Sequence, residues 1–239
     1  VPGEWYIDDD NFLYLYPLEK ESDIYLTYSE SPLFSISNIN NITLKNITMT
    51  GCNAQALTMY KAKNCLVESC TFTNIVDNAI NADECSDCKI KSCDFVNIGK
   101  SAISAYERSY VSMRNNNLVI EDNLIDCFSI YGRNGSAAGI RLTNTIGSKI
   151  IHNKILNAPW VGIIFDDPID NIIEYNDISH VQTEYCDAGA IYCGQSFIAQ
   201  GNILRYNYIH DIIPYSDNIY GYLAAVYMDD LNCGFDINS

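Results

Sequence analysis

The chain is poor in positive charge: 14 Lys and Arg stand against 30 Asp and Glu in 239 residues, a formal net charge of −16. Such a field repels nucleic acid and anionic membrane surfaces and slows the approach of polyanionic glycans, so neutral partners are favoured. Also missing is any apolar run approaching the ~18 residues that cross a bilayer as a helix, and the first residues lack the basic-then-apolar order of a secretory leader. Neither membrane insertion nor a nucleic-acid partner is expected. A third shortage is room for helices. Similar phrases recur at a basic interval of 23 residues, as from Cys70 to Cys93 and from Asn153 to Asn176. A strand plus a helix would need a longer crossover, whereas three short strands and three turns fit.

What is present is one phrase written seven times. Its ladder positions are Ile47, Cys70, Cys93, Asn123, Asn153, Asn176 and Asn207. Three residues earlier stands Leu44, Val67, Ile90, Ile120, Ile150, Ile173 or Leu204, and two residues later Met49, Phe72, Phe95, Ile125, Ile155, Ile178 or Ile209. A third apolar column, each member preceded by Ala or Gly, runs Leu57, Ile80, Ile103, Ile140, Ile163, Ile191, Val226. Repeats of this length signal a solenoid. We expect an all-β fold, a right-handed parallel β-helix of about seven coils of three short strands, with coils stacked at ~4.8 Å. Residues 1–37 stand before the repeats. Residues 38–239 are expected to form the helix, cut short at its C-terminal end as a piece of a longer, monomeric protein. Stacked Asn side chains hydrogen-bond their neighbours along the axis, while Cys in the same column packs as a small hydrophobe. Cys65 with Cys88 and Cys70 with Cys93 repeat at the coil interval, so the ten cysteines read as core thiols rather than disulfides; the Cys85–Cys88 CxxC would need two further ligands to hold zinc.

Insertions locate the working face. The distance from ladder residue to third column is 10 in four coils but 17 after Asn123, 15 after Asn176 and 19 after Asn207. In a stack, the loops around 127–138, 179–189 and 210–224 therefore line one edge of one strand column, and a fourth insertion around 104–119 lies across from them. Insertions on a common face mark the binding side of a solenoid. Alternation along the strands turns Thr58, Asn81, Ser104, Arg141, Ile164, Tyr192 and Tyr227 outward, followed at the strand ends by Tyr60, Asp83, Tyr106, Thr143, Asp166, Gly194 and Asp229. Rings that stack on sugars beside carboxylates that move protons compose a glycan groove. Asp166-Asp167 and Asp229-Asp230 share one coil position, with Gly194-Gln195 between them, so Asp166 and Asp229 stand two spacings or ~9.6 Å apart. Paired carboxyl groups at ~6.5–9.5 Å suit inverting glycoside hydrolysis. Turn chemistry is the equal alternative for Asp166-Asp167-Pro168. Tyr192, Tyr227, Arg141 and Tyr106 are the candidate substrate contacts on the groove floor, with Glu184, His180 and His210 beside the loops. Tyr131, Tyr185, Tyr215, Tyr220 and Tyr222 crowd the insertions as stacking candidates.

Three stretches carry a resemblance: Gly3-Glu4-Trp5-Tyr6-Ile7-Asp8 with Phe12-Leu13-Tyr14-Leu15-Tyr16-Pro17, then Asp187-Ala188-Gly189-Ala190-Ile191-Tyr192, then Val226-Tyr227-Met228-Asp229-Asp230. In these the chain resembles carbohydrate-active parallel β-helix proteins, and most closely glycoside hydrolase family 141. The resemblance implies a secreted, periplasmic or cell-surface hydrolase of plant or host glycans, such as fucosylated or xylan-type chains, without a cofactor. It implies that residues 1–37 form a small β-hairpin and first-strand region packed on the helix, with Asp8 to Asn11 as the hairpin turn, and it implies Asp187 as one catalytic carboxylate and Asp229 or Asp230 as the other. By spacing, Asp187 precedes the inward Ile191 by four residues, so only a loop curling back over the strand brings it to the groove; Asp166 stays as the alternative from periodicity. Other classes remain open: a polysaccharide lyase with Arg141 as base and an assisting Ca2+, a noncatalytic glycan-binding or adhesin module, or an inactive piece.

Overall fold

The computed structural model describes residues 3–17, 19, 24–108, 113–131, 137–214 and 222–238. An antiparallel hairpin pairs Trp5–Ile7 with Leu13–Leu15, and three parallel sheets of eight, seven and eight strands follow. The hairpin closes on Asp8, whose Oδ1 accepts the N–H groups of Asp10 and Phe12 at 3.0 and 2.9 Å, the local side-chain turn for which Asp is suited.

Each coil visits the sheets in turn, as in Leu66–Glu68, Thr71–Ile75 and Ile80–Asp83, then one coil later Lys89–Lys91, Asp94–Ile98 and Ile103–Tyr106. Equivalent positions meet in register: Val67 faces Ile90, Phe72 faces Phe95, Ile80 faces Ile103. The fold is the all-β, right-handed parallel β-helix expected from the repeats, and a strand at Phe34–Ser37 already stacks on Leu57–Tyr60. Among the described residues no helix is long and apolar enough to cross a membrane.

The columns of apolar residues become the core because alternation sends them all to one side. Phe72 and Phe95 are fully buried and lie face to face, centroids 4.9 Å apart and planes within 5°; full burial of such a side chain stabilises by roughly 1.5–3 kcal/mol. At the turn between the first two sheets, Asn153 Oδ1 accepts the Asn123 N–H at 3.1 Å and its amide at 2.9 Å, while Asn153 Nδ2 donates to Ile120 O and Asn176 Oδ1. In the thiol half, Cys93 Sγ donates to Lys91 O at 3.2 Å, and burial pushes this thiol up to about 12. Cys85 and Cys88 are likewise buried and donate to backbone carbonyls. The stacked Cys65, Cys70, Cys85, Cys88 and Cys93 are unbridged thiols, and among the described residues no group of three or more Cys, His, Asp or Glu is placed to hold a metal ion.

The residue before each ladder position turns the chain sharply with φ between 51° and 57°. In the first four coils it is Asn46, Ser69, Ser92 or Asp122, short side chains suited to a turn. In the last three it is His152, Tyr175 or Tyr206, where a bulky L-residue costs roughly 1–2 kcal/mol. The rings offset that cost by contact with one another, His152 edge-on to Tyr175 and Tyr175 stacked on Tyr206, both centroid distances 5.1 Å.

Residues 127–139, 180–187 and 211–222 all connect the second sheet to the third, and 107–118 leads from the third back to the first. This last insertion is pinned by buried Glu107, whose Oε2 accepts from Arg114 at 2.5 Å and from Asn116 at 3.3 Å.

Candidate functional site

The outer face of the third sheet changes character along the rod. Near its start Arg108 grips Asp83 through Nε and Nη2 at 3.2 and 2.6 Å. In the middle, Arg141 Nε and Nη2 reach Asp166 Oδ2 at 2.9 and 2.7 Å, and Thr143 Oγ1 donates to the same oxygen at 2.9 Å. Asp166 and Arg141 thus neutralise each other. Ile164 faces outward as alternation requires, yet it is only 3% exposed, because Ala138, Val161, Ala188 and Trp160 build a second apolar cluster over it. An outward side chain is exposed only where nothing covers it, and here Ala138 and Ala188 from inserted segments join Trp160 and Val161 from the short 157–162 connection.

The last two coils hold a different arrangement. Ala188–Gly194 and Leu223–Asp229 are seven residues each, against four for Ile163–Asp166, and their extra length pairs Ala188 with Leu223 and Gly189 with Ala224. The Asp187 N–H donates to Tyr222 O at 2.8 Å, and Asp187 itself is exposed with φ 67°. This left-handed residue is the point at which the loop turns back onto its strand. At the other end of the strands, Tyr192 donates its hydroxyl to Asp229 Oδ2 at 2.9 Å, and the Asp230 N–H donates to Asp229 Oδ1 at 2.9 Å. Tyr227 stands edge-on to Tyr192 at 5.8 Å, and Tyr222 lies 6.4 Å from Tyr227.

Burial, then the hydrogen bond to Asp229, then the negative charges of Asp229 and Asp187 hold the Tyr192 phenol above its ordinary range; Tyr227 is raised in the same way, with Asp230 adding to the field. The negative charges of Asp187 and Asp229 thus both bear on these two hydroxyl groups. Asp230, with φ 34°, forms the following turn and meets Gln195 Nε2 only at 3.5 Å.

The other candidates lie elsewhere. Tyr106 is four strands from Asp229 along the sheet, ~19 Å by strand spacing. His180 and Glu184 are exposed on the 180–187 connection, where their N–H groups bond to Asp211 O and Pro159 O. His210 is not in the groove: it projects from the second sheet, Nε2 on Asp177 at 3.0 Å and Nδ1 on Asp211 at 2.7 Å, with Tyr208 stacked 4.2 Å away. Tyr185 packs edge-on against Trp160 at 5.8 Å, and Tyr131 and Tyr222 are exposed. Tyr215 and Tyr220 lie outside the described residues. Two positions with no assigned role enter the arrangement. Trp160 covers Ile164, and Gly194 lies beneath the Tyr192 ring; a glycine in a column otherwise filled with side chains was the available signal.

His210 makes a titration prediction. Asp211 and then Asp177 raise its pKa above the ordinary 6.5, so the ion pairs are present below that ordinary value and are lost as pH rises through the raised one. An NMR titration is expected to place the His210 midpoint above 6.5, with protection of residues 211–214 falling through the same interval. A midpoint at or below the ordinary value would show that the two aspartates do not hold the ring.

The family described as right handed beta helix region matches residues 21–136. No curated protein matches the sequence. Among solved structures, the Streptococcus pneumoniae surface protein and adhesin PfbA aligns with a TM-score of 0.52 and 16% identity over 85% of this chain and 68% of that one. The A-module of the Azotobacter vinelandii mannuronan C-5 epimerase AlgE6 aligns with a TM-score of 0.43 and 9% identity over 81% of this chain and 56% of that one. At 16% identity the likeness to PfbA is one of fold, a right-handed parallel β-helix.

Proposed function

We propose that the protein is a glycoside hydrolase acting on neutral plant or host polysaccharides, fucosylated or xylan-type, with Asp187 and Asp229 as its working carboxyl groups. What supports this reading is that the charges of both, 42 residues apart in the sequence, bear on the Tyr192 and Tyr227 hydroxyls, with Asp229 held by Tyr192 at 2.9 Å. Glycoside cleavage needs one carboxyl group to protonate the leaving oxygen and another, ionised, to activate water or attack the sugar. Both Asp229 oxygens accept hydrogen bonds, which suits the ionised partner. Exposed Asp187 is left to donate the proton. Tyr222 and Tyr227 offer ring surface for the sugar, and a neutral substrate accords with the charge of −16.

A lyase would ask Arg141 to act as base, often beside Ca2+, but its guanidinium is committed to Asp166. The second reading is a noncatalytic glycan-binding surface protein, favoured by the shared fold with a protein described as a surface adhesin. An extracellular setting suits both. The test is a screen of neutral plant and host glycans with product analysis. New reducing ends support the hydrolase; an unsaturated product absorbing in the ultraviolet, or binding without turnover, overturns it in favour of the lyase or the module.

A further inference from the structure

We propose that Tyr192 is a positioning residue for Asp229, seated by the missing side chain at Gly194; the inference rests on the hydrolase reading of Asp187 and Asp229. The strand-end column reads Tyr60, Asp83, Tyr106, Thr143, Asp166, Gly194, Asp229, and Gly194 alone in it has no side chain. Tyr192 is two residues earlier on the same strand and so on the same face. A Cβ placed on residue 194 would lie 2.4 Å from the Tyr192 hydroxyl and 3.0 Å from Cζ. The ring therefore lies along its own strand over residue 194, rather than standing off the sheet as strand side chains ordinarily do. In that pose its hydroxyl meets the residue in register with Gly194 one coil further on, which is Asp229.

Other contacts hold the ring there. A Cβ on Gly189 would lie 2.7 Å from the Tyr227 backbone nitrogen, so a second glycine lets the Tyr227 backbone approach and set its ring edge-on to Tyr192. The apolar cluster around Ile164 and Trp160 packs against Tyr192 from the neighbouring coil. The phenol has one hydrogen to give, and Asp229 takes it, so Tyr192 orients the carboxylate instead of donating to a sugar hydroxyl. With Oδ1 fixed by the Asp230 N–H, the Asp229 carboxylate plane is set from both sides. Misplacement of a reacting group by ~1 Å is enough to cost on the order of 100-fold in rate.

Tyr192→Phe is expected to lower kcat by about 10- to 100-fold with KM within about twofold, the split expected when the group it orients acts only in the transition state. Gly194→Ala keeps the hydroxyl but displaces it, and is expected to lower kcat in the same way with KM little changed. Wild-type kcat in Tyr192→Phe, or a loss confined to KM, would overturn the positioning role while Asp187 and Asp229 keep theirs.

Spectrophotometric titration reads the contact without turnover. The tyrosine signal that disappears in Tyr192→Phe should titrate above the ordinary 10.0 in the wild type and fall toward it in Asp229→Asn. A signal unchanged by Asp229→Asn overturns the contact itself. A wild-type protein that cleaves no glycan overturns the hydrolase reading, and this inference with it.

Discussion

Asp187→Asn and Asp229→Asn should each lower kcat on the true substrate by roughly 10²–10⁴-fold, with the midpoint of thermal unfolding nearly unchanged. Asp187 is exposed, and its φ of 67° suits Asn as well as Asp. Asp229 is half-buried at a strand end, and Asn conserves its shape. The two variants are expected to differ in one informative way. A substrate whose leaving group departs without protonation, such as an aryl glycoside with an acidic phenol, should restore much of the rate to Asp187→Asn, the variant lacking the proton donor. It should restore nothing to Asp229→Asn. Full activity in either variant removes that residue from the chemistry, and rescue of the opposite variant reverses the roles.

Phe95→Ala is the substitution expected to cost most in stability. The ring is fully buried, stacked on Phe72 and in register with Ile125 in the following coil. Its loss should destabilise by about 3–5 kcal/mol, from lost transfer energy plus the cavity left behind. In a solenoid each coil touches only its neighbours, so the cost is borne locally as well as in the global transition. Asp187 and Asp229 lie several coils further along, and activity at low temperature should survive. Urea unfolding measures the effect. A change below about 1 kcal/mol would mean that the coil refills the space, contrary to the packing of an interior at crystal-like density.

The contrast between these sites shows what the sequence could convey. The core was legible because a column is a statement about period: Phe72 and Phe95 stand 23 residues apart, and any coil of that length superposes them. The corner holding the insertions was legible for the same reason, since extra length between two fixed columns has only one place to go. Side-chain direction at the ends of strands has no period. Arg141 reads as a groove base until its guanidinium is seen on Asp166, and Ile164 reads as floor until Trp160 and Ala188 are seen above it. His210 follows an inward residue by one, and alternation alone does not say which outer face it joins. Neither the left-handed backbone of Asp187 nor the tie of its N–H to Tyr222 O is announced by the period, and Gly194 tells its story only beside the Tyr192 ring.

The ladder that passes from sulfur to amide divides the rod chemically. After Ile47 the column holds two thiols, each silent while shielded from solvent and reactive once water reaches it; in the later coils it is made of carboxamides that alkylating agents ignore. Cys70 and Cys93 therefore serve as clocks built into one end. The order in which they are labelled during slow unravelling records whether the protein comes apart from that end or from the end bearing the aspartates.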